Sequence, residues 1–231
     1  MDVFTVTTAP MRWSLCAEDL AVYTAHQLRL LAKDKRLDHI RRLSPHMKEA
    51  INRVARCFQN IRRKYFFDGQ NTLFNHLHGD HYAIYLYYLS NTVYRSGRDE
   101  ELAQQLFLLN KALHGIDLFY AVSMPEVFLL IHPVGTVLGN ATYGNYFVAY
   151  QNCGIGSLED GCYPAFEGEN VLFARTSVLG NCHVGRNVVF GANAFVLNSD
   201  IPSDCTVVGC YPNHRTLSLR KGVIERMFRQ I

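Results

Sequence analysis

Apolar residues in the first half of the chain recur with the spacing of a helix. Between residues 17 and 63 they fall three and four positions apart, most clearly at Ala50, Val54, Phe58 and Ile61. This spacing places them along one face of a helix, which predicts helices that pack through an apolar stripe.

Two local sequences mark a helix start and a helix break in this half. Ser44-Pro45 is a plausible helix start, with serine as the cap and proline in the first turn. A second helical block is predicted over residues 71–113, and Ser96-Gly97 interrupts it.

The second half has a different period. Apolar residues stand six apart at Val178, Val184, Phe190 and Val196, with glycine and asparagine between them. The same step runs less regularly from Val137 to Ile155, and residues 157–170 break it as an excursion loop. A helix of 3.6 residues per turn cannot keep one face at this period, whereas short strands wound into a solenoid can. An ordinary antiparallel β domain is the alternative.

These patterns predict an α+β protein in three parts. Residues 1–115 are expected to be an α-helical N-terminal domain, residues 116–215 a parallel β-helix, and residues 216–231 a short C-terminal helix. The apolar side of the last helix would carry Val223, Ile224 and Met227.

The charge balance of the chain argues against nucleic-acid binding and excludes few other partners. The 231 residues are 48% hydrophobic and carry a formal charge of +3, far from the profile of a nucleic-acid-binding domain. Basic side chains do concentrate early, among them Lys33, Lys35, Arg36 and the run Arg62 to Lys64. We interpret them as a solvated helix face, with a phosphate-binding patch as the alternative.

Cysteine usage and the chain start indicate a reducing compartment. The seven cysteines form no CxxC pair, and Met1 to Pro10 lack the basic start and apolar core of a secretory signal. No apolar stretch approaches the ~18 residues of a membrane span. A cytoplasmic protein with free thiols is expected.

Polar residues cluster at His76, His78, Asp80 and His81. Without a nearby cysteine at the spacing of structural zinc sites, no metal is expected there. We interpret His76 and Asp80 as candidate contacts to a substrate, with helix capping and surface histidines as the alternative.

Residues 73–215 resemble the serine acetyltransferase branch of the hexapeptide-repeat acyltransferases. That family carries the motif Leu-Asp-His-Ala-Thr-Gly-x-Val-x-Gly, which Leu130 to Gly139 follows here with His132 at the histidine position. Val178 to Asn181 resembles its repeat, and Val207 to Pro212 its closing turn. The resemblance implies a left-handed parallel β-helix behind a helical N-terminal part.

The resemblance also implies the catalytic residues. The family's histidine falls on His132, and its aspartate, fifteen residues earlier, falls on Asp117 within Ile116-Asp117-Leu118. Histidine can take a proton from a hydroxyl group that attacks a thioester and return it to the leaving thiolate. Asp117 would orient the imidazole. The alternative for His132 is a structural histidine at a coil corner.

Two departures from the family bear on the acceptor. Ile131 replaces the aspartate before the histidine, and Cys162-Tyr163-Pro164 replaces an Arg-His-Pro sequence. Since neither change leaves a charge to hold an amino acid, we predict an acetyl-CoA-dependent O-acetyltransferase of a sugar or glycan. Tyr163 is a candidate substrate contact, or else packs the loop. Amino-sugar N-acetylation, serine O-acetylation and a non-catalytic binding solenoid are the alternatives.

Coenzyme A and a trimer are likewise implied by the resemblance. In this family the subunits form trimers, and helices at the N-terminus can extend the assembly. The coenzyme would lie in a groove of small residues, which have a plain alternative as corner fillers, with basic residues near its phosphates. These positions are Ala174, Thr176, Ala192 and Ala194 for the groove, and Arg215 and Lys221 for the phosphates.

Overall fold

Among the residues that the structure describes, four α-helices form the helical part of the chain. The computed structural model describes residues 11–32, 38–97 and 99–229. The expectations for Met1 to Pro10, for Lys33, Lys35 and Arg36, and for the end of the chain at Ile231 lie outside these residues. The helices are α1 Ala17–Ala32, α2 His39–Gln59, α3 Gly79–Arg95 and α4 Glu100–His114.

Helix α2 begins earlier than the sequence predicts. Its cap is Asp38, whose side chain accepts a hydrogen bond from the backbone N–H of Arg41, and Pro45 lies inside the helix. The Ser44-Pro45 start is therefore wrong. Pro45 has no N–H to donate to the carbonyl of Arg41, and beside it the Oγ of Ser44 donates to the carbonyl of Ile40 at 2.7 Å.

Helix α3 joins the helical part to the solenoid. Every residue from Asp80 to Val93 is buried, because α2 and α4 pack against it on one side and the first coil on the other. Its polar groups bond across that junction: Tyr87 and Tyr88 donate to the carbonyls of Val122 and Glu126. This packing places the first turn of α3 beside the first coil of the solenoid.

A small parallel sheet was missed in the sequence. Strands β1 Met11–Trp13 and β2 Thr72–Phe74 pair in register before α1 and α3 begin. The predicted helical block therefore starts at Gly79 and not at residue 71. Strands this short carry too few residues to show a period of two.

The remainder is the left-handed parallel β-helix that the sequence predicts, with about five turns. Three sheets form its sides, and the strands within each pair in parallel from coil to coil. The first sheet contains β4 Phe128–Leu130, β7 Phe147–Ala149, β10 Asn170–Leu172, β13 Val188–Phe190 and β15 Cys205–Val208. The second contains β3 Asp117–Leu118, β5 Val137–Leu138, β8 Gly154–Gly156, β11 Ser177–Leu179 and β14 Phe195–Leu197. The third contains β6 Thr142–Tyr143, β9 Ala165–Phe166 and β12 His183–Val184.

Stacked side chains explain the six-residue period. Ile155, Val178 and Val196 pair in register across three coils and are all buried. Each coil thus places an apolar side chain on the one below. The excursion is shorter than predicted: β9 resumes the coil at Ala165, so only residues 157–164 leave it.

The backbones of two neighbouring coils lie close together at Gly144. A Cβ built there would lie 2.1 Å from the carbonyl oxygen and 2.3 Å from the carbonyl carbon of Glu167. We expect Gly144→Ala to destabilise the protein by roughly 1–3 kcal/mol or more, because backbone has to move. Gly154→Ala is the matched control, since its nearest neighbour would be 3.5 Å away. Urea unfolding checks this, and equal midpoints for the two variants would contradict it.

The C-terminal segment is not a single helix as predicted. Residues Arg215–Ser218 form strand β16, antiparallel to β15, which covers the last edge of the first sheet. Helix α5 is only Val223–Met227, with both end residues buried. Phe228 then forms a bridge to Ile61, beyond the end of α2. None of the helices that the structure describes is long and apolar enough to cross a membrane.

Candidate active site

The corner that carries His132 is longer than its equivalents. Six residues, 131–136, connect β4 to β5, whereas four connect the same two sheets at 150–153, 173–176 and 191–194. The extra length pushes the corner outward. His132 has a φ of 49°, and its side chain is 75% exposed.

Backbone bonds and a glycine fix this corner. The N–H of Val134 donates to the carbonyl of His132 at 2.7 Å, and the N–H of Asn152 donates to the carbonyl of Val134 at 2.9 Å. Gly135 has a φ of 73°, and a Cβ there would lie 2.2 Å from Oδ1 of Asn152. The motif therefore requires glycine at this position for two reasons: the backbone adopts a positive φ, and Asn152 leaves no room for a Cβ.

Asp80 is the carboxylate beside the histidine. Its Oδ1 accepts the backbone N–H of His132 at 2.9 Å and lies 3.9 Å from the Nδ1 of the same residue. Burial raises the pKa of Asp80 above its ordinary value, while the hydrogen bond from His132 and the charges of His78, His132 and Arg63 oppose that shift. The carboxylate thus holds the left-handed backbone of His132 and faces its ring.

Asp117 does not pair with His132 as the sequence predicts. Its Oδ2 accepts a hydrogen bond from Nζ of Lys111 at 2.5 Å, and no hydrogen bond or ion pair joins it to His132 among the described residues. Asp117 lies opposite Val137 in the strand register, past the end of the histidine's corner. The fifteen-residue spacing therefore places it in the preceding coil, where Lys111 of helix α4 is its partner.

The histidines around Asp80 have structural partners. His76 exchanges a hydrogen bond with Ser14, Nδ1 to Oγ at 2.8 Å, and packs edge-on against Tyr23. His81 is buried, which lowers its pKa to about 3, and its Nδ1 accepts the N–H of Asn75. Within the described ranges no group of three or more histidine, cysteine or acidic side chains is placed to hold a metal ion. The role of His76 as a substrate contact stays a prediction.

Tyr163 packs against the opposite end of β5 from His132. A Cβ on Gly139 would meet the Cε1 of Tyr163 at 2.9 Å, so the ring lies directly on that glycine. The tyrosine remains 38% exposed. Within one chain this arrangement favours the packing alternative over a contact to a substrate at His132.

The residues predicted for the coenzyme groove fall into two groups. Thr176 and Ala194 are fully buried, and Oγ1 of Thr176 donates to the carbonyl of Phe173. They fill corners and present no side chain to a ligand. Ala174 is half-buried and Ala192 exposed, so the backbone is accessible at these two corners. Arg215 is exposed on β16, and Lys221 lies 3.3 Å from Glu225.

The comparisons with known proteins agree on one kind of relative. The serine acetyltransferase of Synechococcus elongatus is 35% identical over 105 residues, which are 44% of this chain and 43% of that protein. The chain spans less than two thirds of the curated relatives it matches. A comparison with protein-family models finds no match.

Solved structures of serine acetyltransferases share the fold. The enzyme from Brucella abortus superposes with a TM-score of 0.68 at 18% identity, over 88% of this chain and 84% of its own. A serine acetyltransferase in complex with CoA gives 0.64 at 20% identity, over 86% and 83%. At these identities the likeness establishes the architecture alone.

The comparisons overturn the prediction of a glycan-modifying relative. Both the sequence relatives and the structural neighbours are named serine acetyltransferases. The prediction depended on two departures, Ile131 in place of an aspartate and Cys162-Tyr163-Pro164 in place of Arg-His-Pro; for the first of them, Asp80 places a carboxylate at the same corner. The sequence indicated Asp80 only as a candidate substrate contact, which stays a prediction, and no motif linked it to the histidine 52 residues later.

Proposed function

We propose that the protein is an acetyl-CoA-dependent serine O-acetyltransferase with His132 as its general base. The observation that supports this most is the lengthened corner, which presents an exposed imidazole while Asp80 anchors its backbone. The names of the sequence relatives support serine as the acceptor.

In this proposal His132 moves the proton of the reaction. The imidazole takes the proton from the acceptor hydroxyl as the oxygen bonds to the acetyl carbon, and returns it to the sulfur that leaves. Such assistance is typically worth ~10²–10⁴-fold in rate. The acceptor is itself the nucleophile, so the protein needs no acylated residue.

Asp80 supports the charged form of the histidine. When the imidazole is protonated, a carboxylate 3.9 Å from Nδ1 stabilises the positive charge. Ile131 cannot do this because its side chain is apolar and carries no charge. The helical part thus supplies the acidic group that the corner itself lacks.

The later coils are suited to the donor. Coenzyme A supplies the acetyl group as a thioester when bound. Ala174 and Ala192 leave the backbone open at successive corners, where an extended thiol arm can approach. Ala174 and Ala192 are therefore the positions suited to the coenzyme, and the buried Thr176 and Ala194 are not.

We further propose that copies of the chain associate as a trimer at the corner of His132. Val134 and Val137 follow the histidine at the same corner and are 61% and 47% exposed, which is unusual for valines in a well-packed solenoid. A neighbouring copy would cover them and would border the catalytic histidine.

Replacing one of these valines should break the assembly. We expect Val137→Glu to shift the mass measured by light scattering from trimer to monomer, because a carboxylate would be buried in an apolar contact. Leu30→Glu, at an 80% exposed position on α1, is the control and should leave the trimer intact. An unchanged mass for Val137→Glu would contradict this interface.

An acceptor panel tests the proposed function. Thiol release from acetyl-CoA is measured with L-serine, with glucosamine and with no acceptor. We expect release that depends on L-serine, and a product heavier than serine by one acetyl group. No release with L-serine, together with release on the amino sugar, would contradict serine as the acceptor.

A further inference from the structure

A basic cleft lies between the end of α2 and the C-terminal helix. Residues 62–65 follow α2 and form one wall, and α5 with the preceding Lys221 forms the other. The N–H of Arg62 donates to the carbonyl of Met227 at 2.9 Å, which ties the two walls together. The cleft is open and has a volume of about 390 Å³.

Positive charge dominates this cleft. Five of its seven lining residues are cationic, and Glu225, the one acidic residue among them, already pairs with Lys221 at 3.3 Å. The side chains of Arg62 and Arg63 form no hydrogen bond or ion pair with any described residue. The cationic residues are Arg62, Arg63, Lys64, Lys221 and Arg226.

Such an arrangement differs from a solvated helix face. The two walls come from segments about 160 positions apart in the sequence, and the fold brings their cations together across a concavity. Cations held this close repel one another, and a bound anion would offset that repulsion. The fixed fork of a guanidinium also matches the oxygens of a phosphate.

Contacts of two tyrosines connect the surroundings of the cleft to the residues around His132 and Asp80. Burial raises the pKa of Tyr150, and the charges of Arg63 and Arg226 lower it. The carbonyl of Tyr150 accepts a hydrogen bond from Thr136 at the histidine's corner, at 2.8 Å. On the other side, the ring of Tyr65 lies 5.3 Å from that of His78, two residues before Asp80.

We propose that this basic cleft binds a phosphate-bearing group. The net lining charge of +4 exceeds what one carboxylate neutralises, so a ligand with several negative charges fits best. The phosphates come either from the nucleotide end of coenzyme A or from a separate phosphorylated ligand. The choice between these sources rests on the proposed function, but the binding of phosphate does not.

Calorimetric titration with inorganic pyrophosphate tests the site directly. We expect Arg63→Gln and Arg226→Gln each to weaken binding about 10- to 100-fold, since a hydrogen bond to a charged group contributes roughly 1.5–3 kcal/mol. Arg41→Gln is the matched control, because Arg41 is exposed in the first turn of α2, whereas the cleft lies beyond the other end of that helix, about 30 Å away. Circular dichroism confirms that each variant is folded.

Competition identifies the source. If acetyl-CoA displaces pyrophosphate and S-acetylpantetheine, which lacks phosphates, does not, the cleft holds the coenzyme. If acetyl-CoA binds without displacing pyrophosphate, the cleft holds a second ligand. Absence of pyrophosphate binding to the parent protein, or equal weakening in Arg41→Gln, would overturn the proposal even where acetyl transfer is intact.

Discussion

His132→Ala should lower acceptor-dependent acetyl transfer by ~10²–10⁴-fold, because nothing else at the corner can take the proton of the attacking hydroxyl. Binding of acetyl-CoA should change little, since the imidazole is 75% exposed and its side chain has no hydrogen-bond partner among the described residues. The measurement is thiol release at saturating acetyl-CoA.

His183→Ala is the matched control for this variant. His183 is also exposed on the solenoid, with its Nε2 bonded to Glu167 at 2.9 Å, but it lies on β12, outside the corner of His132. It should retain the activity of the parent. A similar loss in both histidine variants would contradict a specific role for His132.

Asp80→Asn separates the charge of Asp80 from its hydrogen bond. The amide oxygen can still accept the N–H of His132, but the negative charge beside Nδ1 is gone. At an effective dielectric constant of about 20, a charge pair at this distance interacts by roughly 4 kcal/mol at most. We therefore expect a loss of about 10- to 100-fold in turnover with the fold preserved.

The pH dependence of stability gives this variant a second readout. Burial raises the pKa of Asp80 in the folded protein above the unfolded value of 3.8. The folded state then holds the proton more tightly, so stability falls as the pH rises from that unfolded value through the raised one. Asp80→Asn removes this fall and should be at least as stable as the parent at neutral pH, as chemical denaturation measures.

Asp117→Asn decides between the two carboxylates. In the structure it breaks only the partly exposed ion pair with Lys111, which is worth little. We expect nearly unchanged turnover. A larger loss in Asp117→Asn than in Asp80→Asn would show that the spacing in the sequence identifies the histidine's partner better than the contacts do.

The solenoid could be predicted because its signal is local. Each coil repeats the same short sequence pattern. An inward apolar residue is followed by a corner where glycine or asparagine adopts positive φ, as at Asn187 and Asn193. The helix boundaries were harder to predict. Ser44-Pro45 has the sequence of a helix start, but α2 is already capped by Asp38 and Pro45 lies inside it. Strands β1 and β2 are too short to carry a period.

In the candidate site, too, local features could be predicted from the sequence and contacts between distant segments could not. The sequence alone indicates His132 as a candidate because the motif around it is contiguous. The contact with Asp80 depends on how α3 packs against the first coil, which no spacing in the sequence specifies. The basic cleft is similar, since the run at Arg62 was visible but its meeting with Arg226 was not.

A single-turnover experiment tests the central claim most directly, because it separates the chemical step from binding and product release. Parent and His132→Ala protein are each loaded with acetyl-CoA and mixed with L-serine, and the formation of O-acetylserine is followed by mass. Our account predicts that the parent forms the product at least about 100-fold faster than the variant. Equal single-turnover rates would contradict it.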